Sequence, residues 1–315
     1  MPHRLTILLT TPRVAPGLLT RDAWHALESA DARWAREGEY QAQSLIDAGL
    51  ELDVRAAAAP ADLARDLVSA AQHGAVLWVG SADGDPGLTD AIAAEVSRLT
   101  DPPEVELLVG SHDVQGARLL DVVAVMDRLR SPGGCPWDAQ QTPQTLVPYL
   151  LEEAHEAIEA IESGDADHVR EELGDLLLQV AFQSRVAEED PTTPFDIDDV
   201  AGGLVEKLVR RHPHVFGSVD AATPEAVEAN WDAIKASEKP DRLHPLEGIP
   251  QSLPALARAD KSIGRLERAG LGERVDAAVA GSDLGARFLA LVREARADGI
   301  DAEAALRATL RRLSP

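Results

Sequence analysis

Apolar positions recur along this chain in two rhythms. Up to residue 112, short apolar runs predict strands at 4–10 (RLTILLT), 51–55, 75–79 (AVLWV) and 105–109. Between them, wider spacing predicts helices over 20–36, 61–71 and 89–99, the last preceded by a turn at Gly84-Asp85-Pro86-Gly87. Strands alternating with helices predict an α/β domain with a parallel sheet. From residue 116 the rhythm is helical throughout. Residues 116–130 align Leu119, Leu120, Val123, Met126 and Leu129 on one stripe. Leu150, Leu151, Ala154, Ala157, Ile158 and Ile161 make a second stripe, and Val169, Leu173, Leu176, Leu177 and Val180 a third. Ser163-Gly164-Asp165 separates these two. Glycine ends a helix at little cost, and Asp165 or Asp167 can cap the next, so 150–179 reads as a helical hairpin. Thr142-Pro143 is expected to open its first arm, with Thr at the cap and Pro at the first helical position. The second arm runs on to a stop at Asp190-Pro191. Further helices follow at 197–211 and 225–238.

The hairpin carries carboxylates in a pattern. Glu153 and Glu156 are helix-face neighbours, and Glu172 and Asp175 repeat that spacing on the other arm. Antiparallel closure about Gly164 sets Glu156 opposite Glu172 and Glu153 opposite Asp175. Four converging carboxylates repel one another and push their own pKa values upward. A hard divalent cation removes the conflict, and Mg²⁺ commonly shares itself between carboxylates and substrate phosphates. Two readings stand at this point: a solvated acidic face, or a Mg²⁺ site that receives a polyphosphate.

Composition narrows the field. With 54 acidic against 30 basic residues the formal net charge is −24, which argues against nucleic acid as a main partner, because that needs a basic footprint. A small anion carried with a metal remains compatible. Hydrophobic residues at 45% supply real cores, and aromatics at 3% make those cores aliphatic. Cys135 is the single cysteine, so no intrachain disulfide forms, which suits a reducing cytosol. No apolar run reaches the roughly 18–20 residues of a membrane span, and LTILL reads as a buried strand rather than a signal peptide. A cytoplasmic protein is expected. Lysine occurs only at 207, 235, 239 and 261. Three of the four fall between 207 and 239, either by chance or because a compact ammonium is wanted beside a phosphate.

Candidate chemistry also lies outside the hairpin. Ser131–Asp138 is a turn-rich loop whose Trp137 either stacks on a base or packs on the next helix. Arg210 and Arg211 close a helix where the dipole favours cations, or clamp a phosphate. His212 and His214 flank a proline and do not share a helix face. Trp231 and Lys235 are one turn apart, a π-surface beside a cation that suits a nucleotide base near a phosphate anchor.

GCPWD at 134–138, the ExxE and ExxD pairs, ELGDLLLQV, KLVRRHPHVFG at 207–217 and NWDAIKASEK at 230–239 occur in that order. Together, over residues 116–240, they resemble the MazG nucleoside triphosphate pyrophosphohydrolases of the all-α NTP-pyrophosphatase superfamily. The resemblance implies Mg²⁺-dependent hydrolysis of an NTP to NMP and pyrophosphate, with Mn²⁺ as a substitute ion. It implies that Glu153, Glu156, Glu172 and Asp175 hold the metal and carry catalysis, and leaves open which of them acts as base. Lys207, Arg210 and Arg211 would bind the phosphates, and Trp231, Lys235 and Trp137 the nucleotide. Nucleotide-pool housekeeping is the expected role; a narrow dUTP or dCTP pyrophosphatase and a nucleotide sensor without turnover are the alternatives. One hairpin cannot bury both sides of its stripes, so a homodimer of four-helix-bundle type is expected, with active sites near the subunit interface.

The flanking segments carry resemblances of their own. Residues 1–115, through LTILLTTPRVAPGLLT and GSADGDPGLTDA, resemble a shortened tetrapyrrole-methylase domain. The first loop lacks the Gly-rich pattern that lets a backbone approach a cofactor, and the second half of such a domain is missing, so a non-catalytic remnant is expected rather than a working methylase. Residues 241–315 resemble the linker after a first MazG domain and the back half of a second. That second copy reads Asp283-Leu-Gly-Ala286 where ELGD would stand and has no preceding ExxE helix. No second active site is expected.

Overall fold

The computed structural model describes residues 3–81, 84–238 and 244–313. The chain divides into two compact units, Met1–Gly202 and Gly203–Pro315. The first opens with a five-stranded sheet. Its elements are β1 (Arg4–Thr10), α1 (Arg21–Ser29), β2 (Ala32–Arg36), α2 (Ala42–Asp47), β3 (Asp53–Arg55), α3 (Pro60–Ala71), β4 (Ala75–Ser81), α4 (Leu88–Val96) and β5 (Glu104–Val109). The strands run in the order β3-β2-β4-β1-β5, and every pair is parallel. Side chains alternate across the sheet. Leu5, Ile7, Val76 and Trp78 pack on α3 and α4 through Leu67, Val68, Leu88 and Ile92. On the other face Leu8, Leu77 and Val79 meet Ala23 and Leu27 of α1 and Leu45 of α2. A parallel sheet buried on both sides explains why β1 and β4 read as near-continuous apolar runs.

The helix expected over 20–36 is corrected by the structure to a helix and a strand. Thr20 caps α1 by accepting from the Ala23 amide at 3.2 Å. The chain turns extended at Ala30, and the Arg33 guanidinium donates to the carbonyls of Leu27 and Ala30, closing the helix end. Residues 32–36 then pair with β3 and β4 as a central strand. Ladder hydrogen bonds and burial of Ala35 outweigh the helical propensity of this Ala-rich stretch.

Among the described residues, every further element is a helix. The first unit continues with α5 (Arg118–Arg130), α6 (Val147–Ser163), α7 (Ala166–Ala187) and the start of α8 (Ile197–Arg211). Met126, Leu146, Ala181, Phe182 and Val186 make the core shared by α5, α7 and the entry to α6. Arg13, with a side chain only 6% exposed, pairs with Asp113 at 2.7 Å and Asp121 at 2.9 Å, tying the loop after β1 to the start of α5.

The first hairpin arm begins later than Thr142-Pro143. Thr142 and Thr145 instead close a turn on each other, each hydroxyl accepting from the other's amide. The buried Leu146 then anchors the entry, and Pro148 takes the first helical turn. In the second unit, α9 (Pro213–Phe216) and α10 (Pro224–Ser237) follow the end of α8. A group of α11 (Ala255–Arg268), α12 (Gly272–Val279), α13 (Leu284–Ala297) and α14 (Ala302–Arg311) packs around Ile263, Val275 and Val292.

Candidate active site

The hairpin α6–α7 is closed by local chemistry. Gly164 takes the left-handed conformation at φ 77°, which lets it donate back to Ala160 and Ile161 and end α6. Asp165 caps α7 by accepting from the amides of Asp167 at 3.0 Å and His168 at 3.3 Å. With both ends set by adjacent residues, the pairing of the arms follows. Glu153, Glu156 and Glu172 each bring one carboxylate oxygen to a common point, all three within 4.8 Å of one another. Among the described residues no other group of three His, Cys, Asp or Glu side chains gathers in this way. Asp175 lies outside this tight trio, although its charge is among those acting on Glu153.

The electrostatics of the trio are unfavourable by themselves. Glu172 is 8% exposed, and its Oε2 is buried without a hydrogen-bond partner. Glu153 has its pKa raised, first by desolvation and then by the charges of Asp175, Glu156, Glu172 and Glu152. A buried acceptor with no donor costs about 1–3 kcal/mol, and more when charged. A cation held by these three carboxylates would answer the repulsion and give the buried Glu172 a counter-charge. All-carboxylate ligation suits Mg²⁺ or Mn²⁺ rather than a soft metal. His168 adds a contact that the sequence reading missed: its Nε2 stands 3.1 Å from Glu172 Oε1, one helical turn away. The i, i+4 spacing was the available signal.

The loop before α6 is held from several sides. Arg130, its side chain 6% exposed, donates to the carbonyls of Asp138 at 2.6 Å and Gln141 at 3.2 Å while pairing with Glu189 of the segment after α7 at 2.8 Å. Trp137 meets Tyr149 and Phe182 edge-on, with ring centroids at 5.7 and 6.3 Å. Its ring packs by its edges between the loop and the two hairpin arms while the residue stays 48% exposed, which leaves a face open for a nucleotide base. At Gly134 a Cβ would collide with the carbonyl oxygens of Arg128 and Leu129. Those are backbone atoms that cannot step aside, so Gly134→Ala is expected to lower stability by about 2 kcal/mol or more. A urea titration of the variant read by tryptophan fluorescence checks this.

The second unit contains the other candidates. Lys207, Arg210 and Arg211 lie in the last turns of α8, and Trp231 and Lys235 on α10. Lys239 lies outside the described residues. Arg211 sits over the Trp231 ring at 5.2 Å, and His212 meets the same ring at 4.9 Å. Both arginines are engaged by one carboxylate. Glu238 accepts from Arg210 Nε at 2.8 Å and from the Arg211 guanidinium at 2.6 Å. The Arg211 and Arg210 contacts hold the Glu238 pKa down at about 2. Glu238 was not singled out from the sequence. An acid just past a helix C-terminus, where the dipole disfavours it, was the only cue.

The model of the MazG nucleotide pyrophosphohydrolase domain matches residues 141–216. An uncharacterized 26.1 kDa protein in the blaB 3' region of Streptomyces cacaoi is 52% identical over 73% of this chain and 94% of its own length. A nucleoside triphosphate pyrophosphohydrolase of Mycolicibacterium smegmatis is 43% identical over 61% of this chain and 56% of its own length. The chain belongs to the MazG family. A crystallised mazG-related protein from Thermotoga maritima is 30% identical, with a TM-score of 0.31, over 38% of this chain and 96% of that one. The chain spans about half the length of the curated pyrophosphohydrolase it matches.

The matched MazG region takes in α6, α7, α8 and α9, and therefore the whole acidic hairpin together with Lys207, Arg210 and Arg211. Trp231 and Lys235 lie beyond it. In the tail, the segment that resembles a second MazG copy is built differently. Asp283 caps α13, accepting from the Ala286 amide at 3.0 Å, whereas Glu172 and Asp175 sit mid-helix on α7. Among the described residues no helix is long and apolar enough to cross a membrane.

Proposed function

We propose that this MazG chain is a Mg²⁺-dependent nucleoside triphosphate pyrophosphohydrolase, cleaving canonical or damaged (d)NTPs to NMP and pyrophosphate in nucleotide-pool housekeeping. The observation that carries the reading is the carboxylate trio, in which Glu172 is buried and has one oxygen without a hydrogen-bond partner. Glu153, Glu156 and Glu172, joined by Asp175, would hold the ion, with Mn²⁺ as the substitute. When bound, the ion supplies charge neutralisation on the phosphates and on the departing pyrophosphate.

The chain's own groups do the rest. A carboxylate oxygen of the quartet orients the attacking water and accepts its proton. The water oxygen bonds to the α-phosphorus, and the bridging oxygen to the β-phosphorus leaves with the pyrophosphate. Lys207 and Arg211, one turn apart on α8, are assigned to the phosphate chain with Arg210. Trp231 is assigned to the base, with Lys235 beside it. Residues 1–115 take no part in the chemistry, and 241–315 form no second catalytic centre.

A homodimer belongs to the same reading. Leu151, Ile161 and Leu173 on the hairpin are each more than half exposed, and α8 has no buried residue. A second copy laid on these stripes would complete a four-helix bundle. Release of pyrophosphate from each of the eight common NTPs and dNTPs, and from dUTP, tests the reading. Turnover of several nucleotides supports housekeeping, and turnover of a single pyrimidine dNTP replaces it with a specialist.

A further inference from the structure

Arg210 and Arg211 are assigned to phosphate, yet both are already occupied. One carboxylate bridges them, Oε1 toward Arg210 and Oε2 toward Arg211. The pair is sheltered, with the Arg211 and Glu238 side chains 13% and 16% exposed. Guanidinium groups converging on two oxygens of one anion is an arrangement by which arginine recognises carboxylate and phosphate alike. The Trp231 ring lies beneath Arg211, so the fork already stands beside a π-surface.

The occupant is poorly placed for permanence. Glu238 follows the last residue of α10 and its amide still bonds to Ile234 O, so its charge lies at the helix C-terminus. There the dipole opposes a negative charge, and the two arginines compensate. With its pKa held at about 2, the group is a carboxylate at any physiological pH and competes with every incoming anion.

We propose that Glu238 is the internal occupant of a polyphosphate seat formed by Arg210 and Arg211 beside Trp231, and that a nucleotide's phosphate chain enters by displacing it. The inference rests on the reading that these arginines take phosphate. Displacement trades one carboxylate for a more highly charged chain of phosphates. It leaves Glu238 free to swing out on the terminal turn of α10. A monophosphate carries a charge of about −1.5 to −2 at pH 7 and a triphosphate chain carries more, so the exchange favours the triphosphate over the product NMP.

The test is titration calorimetry of the full chain with sodium tripolyphosphate in EDTA. Glu238→Gln keeps the shape and removes the competing charge. It is expected to bind tripolyphosphate about tenfold tighter than the unaltered chain, as when an open state populated at about one tenth becomes the only state. Adding Arg211→Gln to that variant is expected to reverse the gain. Equal or weaker binding by Glu238→Gln overturns the proposal. So that a folding defect cannot decide the matter, the Glu238 carboxyl carbon is also followed by NMR in the unaltered chain. A shift of that signal on adding tripolyphosphate is expected, and a static signal while the anion binds overturns displacement. Binding that is equal in both proteins and lost with Arg211→Gln removes the gate but leaves the phosphate seat. Binding by neither protein removes the seat as well, without touching metal-dependent turnover.

Discussion

Glu172→Gln is expected to lower nucleotide turnover by about a hundred- to a thousandfold, the range seen when one preorganised electrostatic group is removed from an active site. Glutamine keeps the length and shape of the side chain, so the α6–α7 packing is undisturbed. What is lost is one negative charge from a trio that gathers within 4.8 Å. The same substitution should act on stability with the opposite sign. In the metal-free protein the three carboxylates repel one another, and Glu172 Oε2 is buried without a partner. A neutral amide relieves the repulsion, so the melting temperature in EDTA is expected to hold or rise while activity collapses. Initial rates and thermal melts on one preparation check both halves. A variant that loses activity and stability together would make Glu172 a packing residue instead.

The second large effect is the response to metal and pH. Saturation with Mg²⁺ at about a hundredfold over its dissociation constant stabilises the folded chain by about 2.7 kcal/mol. For a unit of this size that corresponds to a rise in melting temperature of about 5–10 °C. Part of the pH dependence of the metal-free protein follows from Glu153, whose pKa is raised above the usual carboxylate range by desolvation and by its acidic neighbours. Its folded form binds a proton more tightly than its unfolded form. The stabilisation is therefore fully present below the unfolded pKa and is lost as pH climbs from there through the raised folded value. In EDTA the melting temperature should fall across that interval. With Mg²⁺ present the Glu153 share of the decline should disappear, because the bound cation replaces the proton as counter-charge, while that of the buried Glu39 should persist. Scanning calorimetry from pH 4 to pH 8, with and without metal, reads both curves.

Legibility from sequence varied with how local the cause was. The limits of β1 and α8 could be read from their apolar patterns because burial on both faces, or a helix stop at His212-Pro213, is written in adjacent residues. The carboxylate trio was legible for the same reason: helical spacing and a Gly–Asp hinge fix which positions meet. The stretch 20–36 was misread because its break at Ala30-Asp31 contains neither Gly nor Pro. What makes 32–36 a strand is pairing with β3 and β4, far away in sequence. The short α2 has too few residues to show a period. Glu238 was invisible as a partner for Arg210 and Arg211 because nothing in residues 212–237 dictates how the end of α10 returns to the end of α8.

The central claim is that the acidic hairpin serves metal-dependent attack of water at the α-phosphorus. The most direct measurement is phosphorus NMR of the products formed from dATP in ¹⁸O-labelled water, with Mg²⁺ and with EDTA. The account predicts dAMP carrying the label and unlabelled pyrophosphate, formed only when Mg²⁺ is present. Formation of dADP and phosphate, label in the pyrophosphate, or equal turnover in EDTA would contradict it.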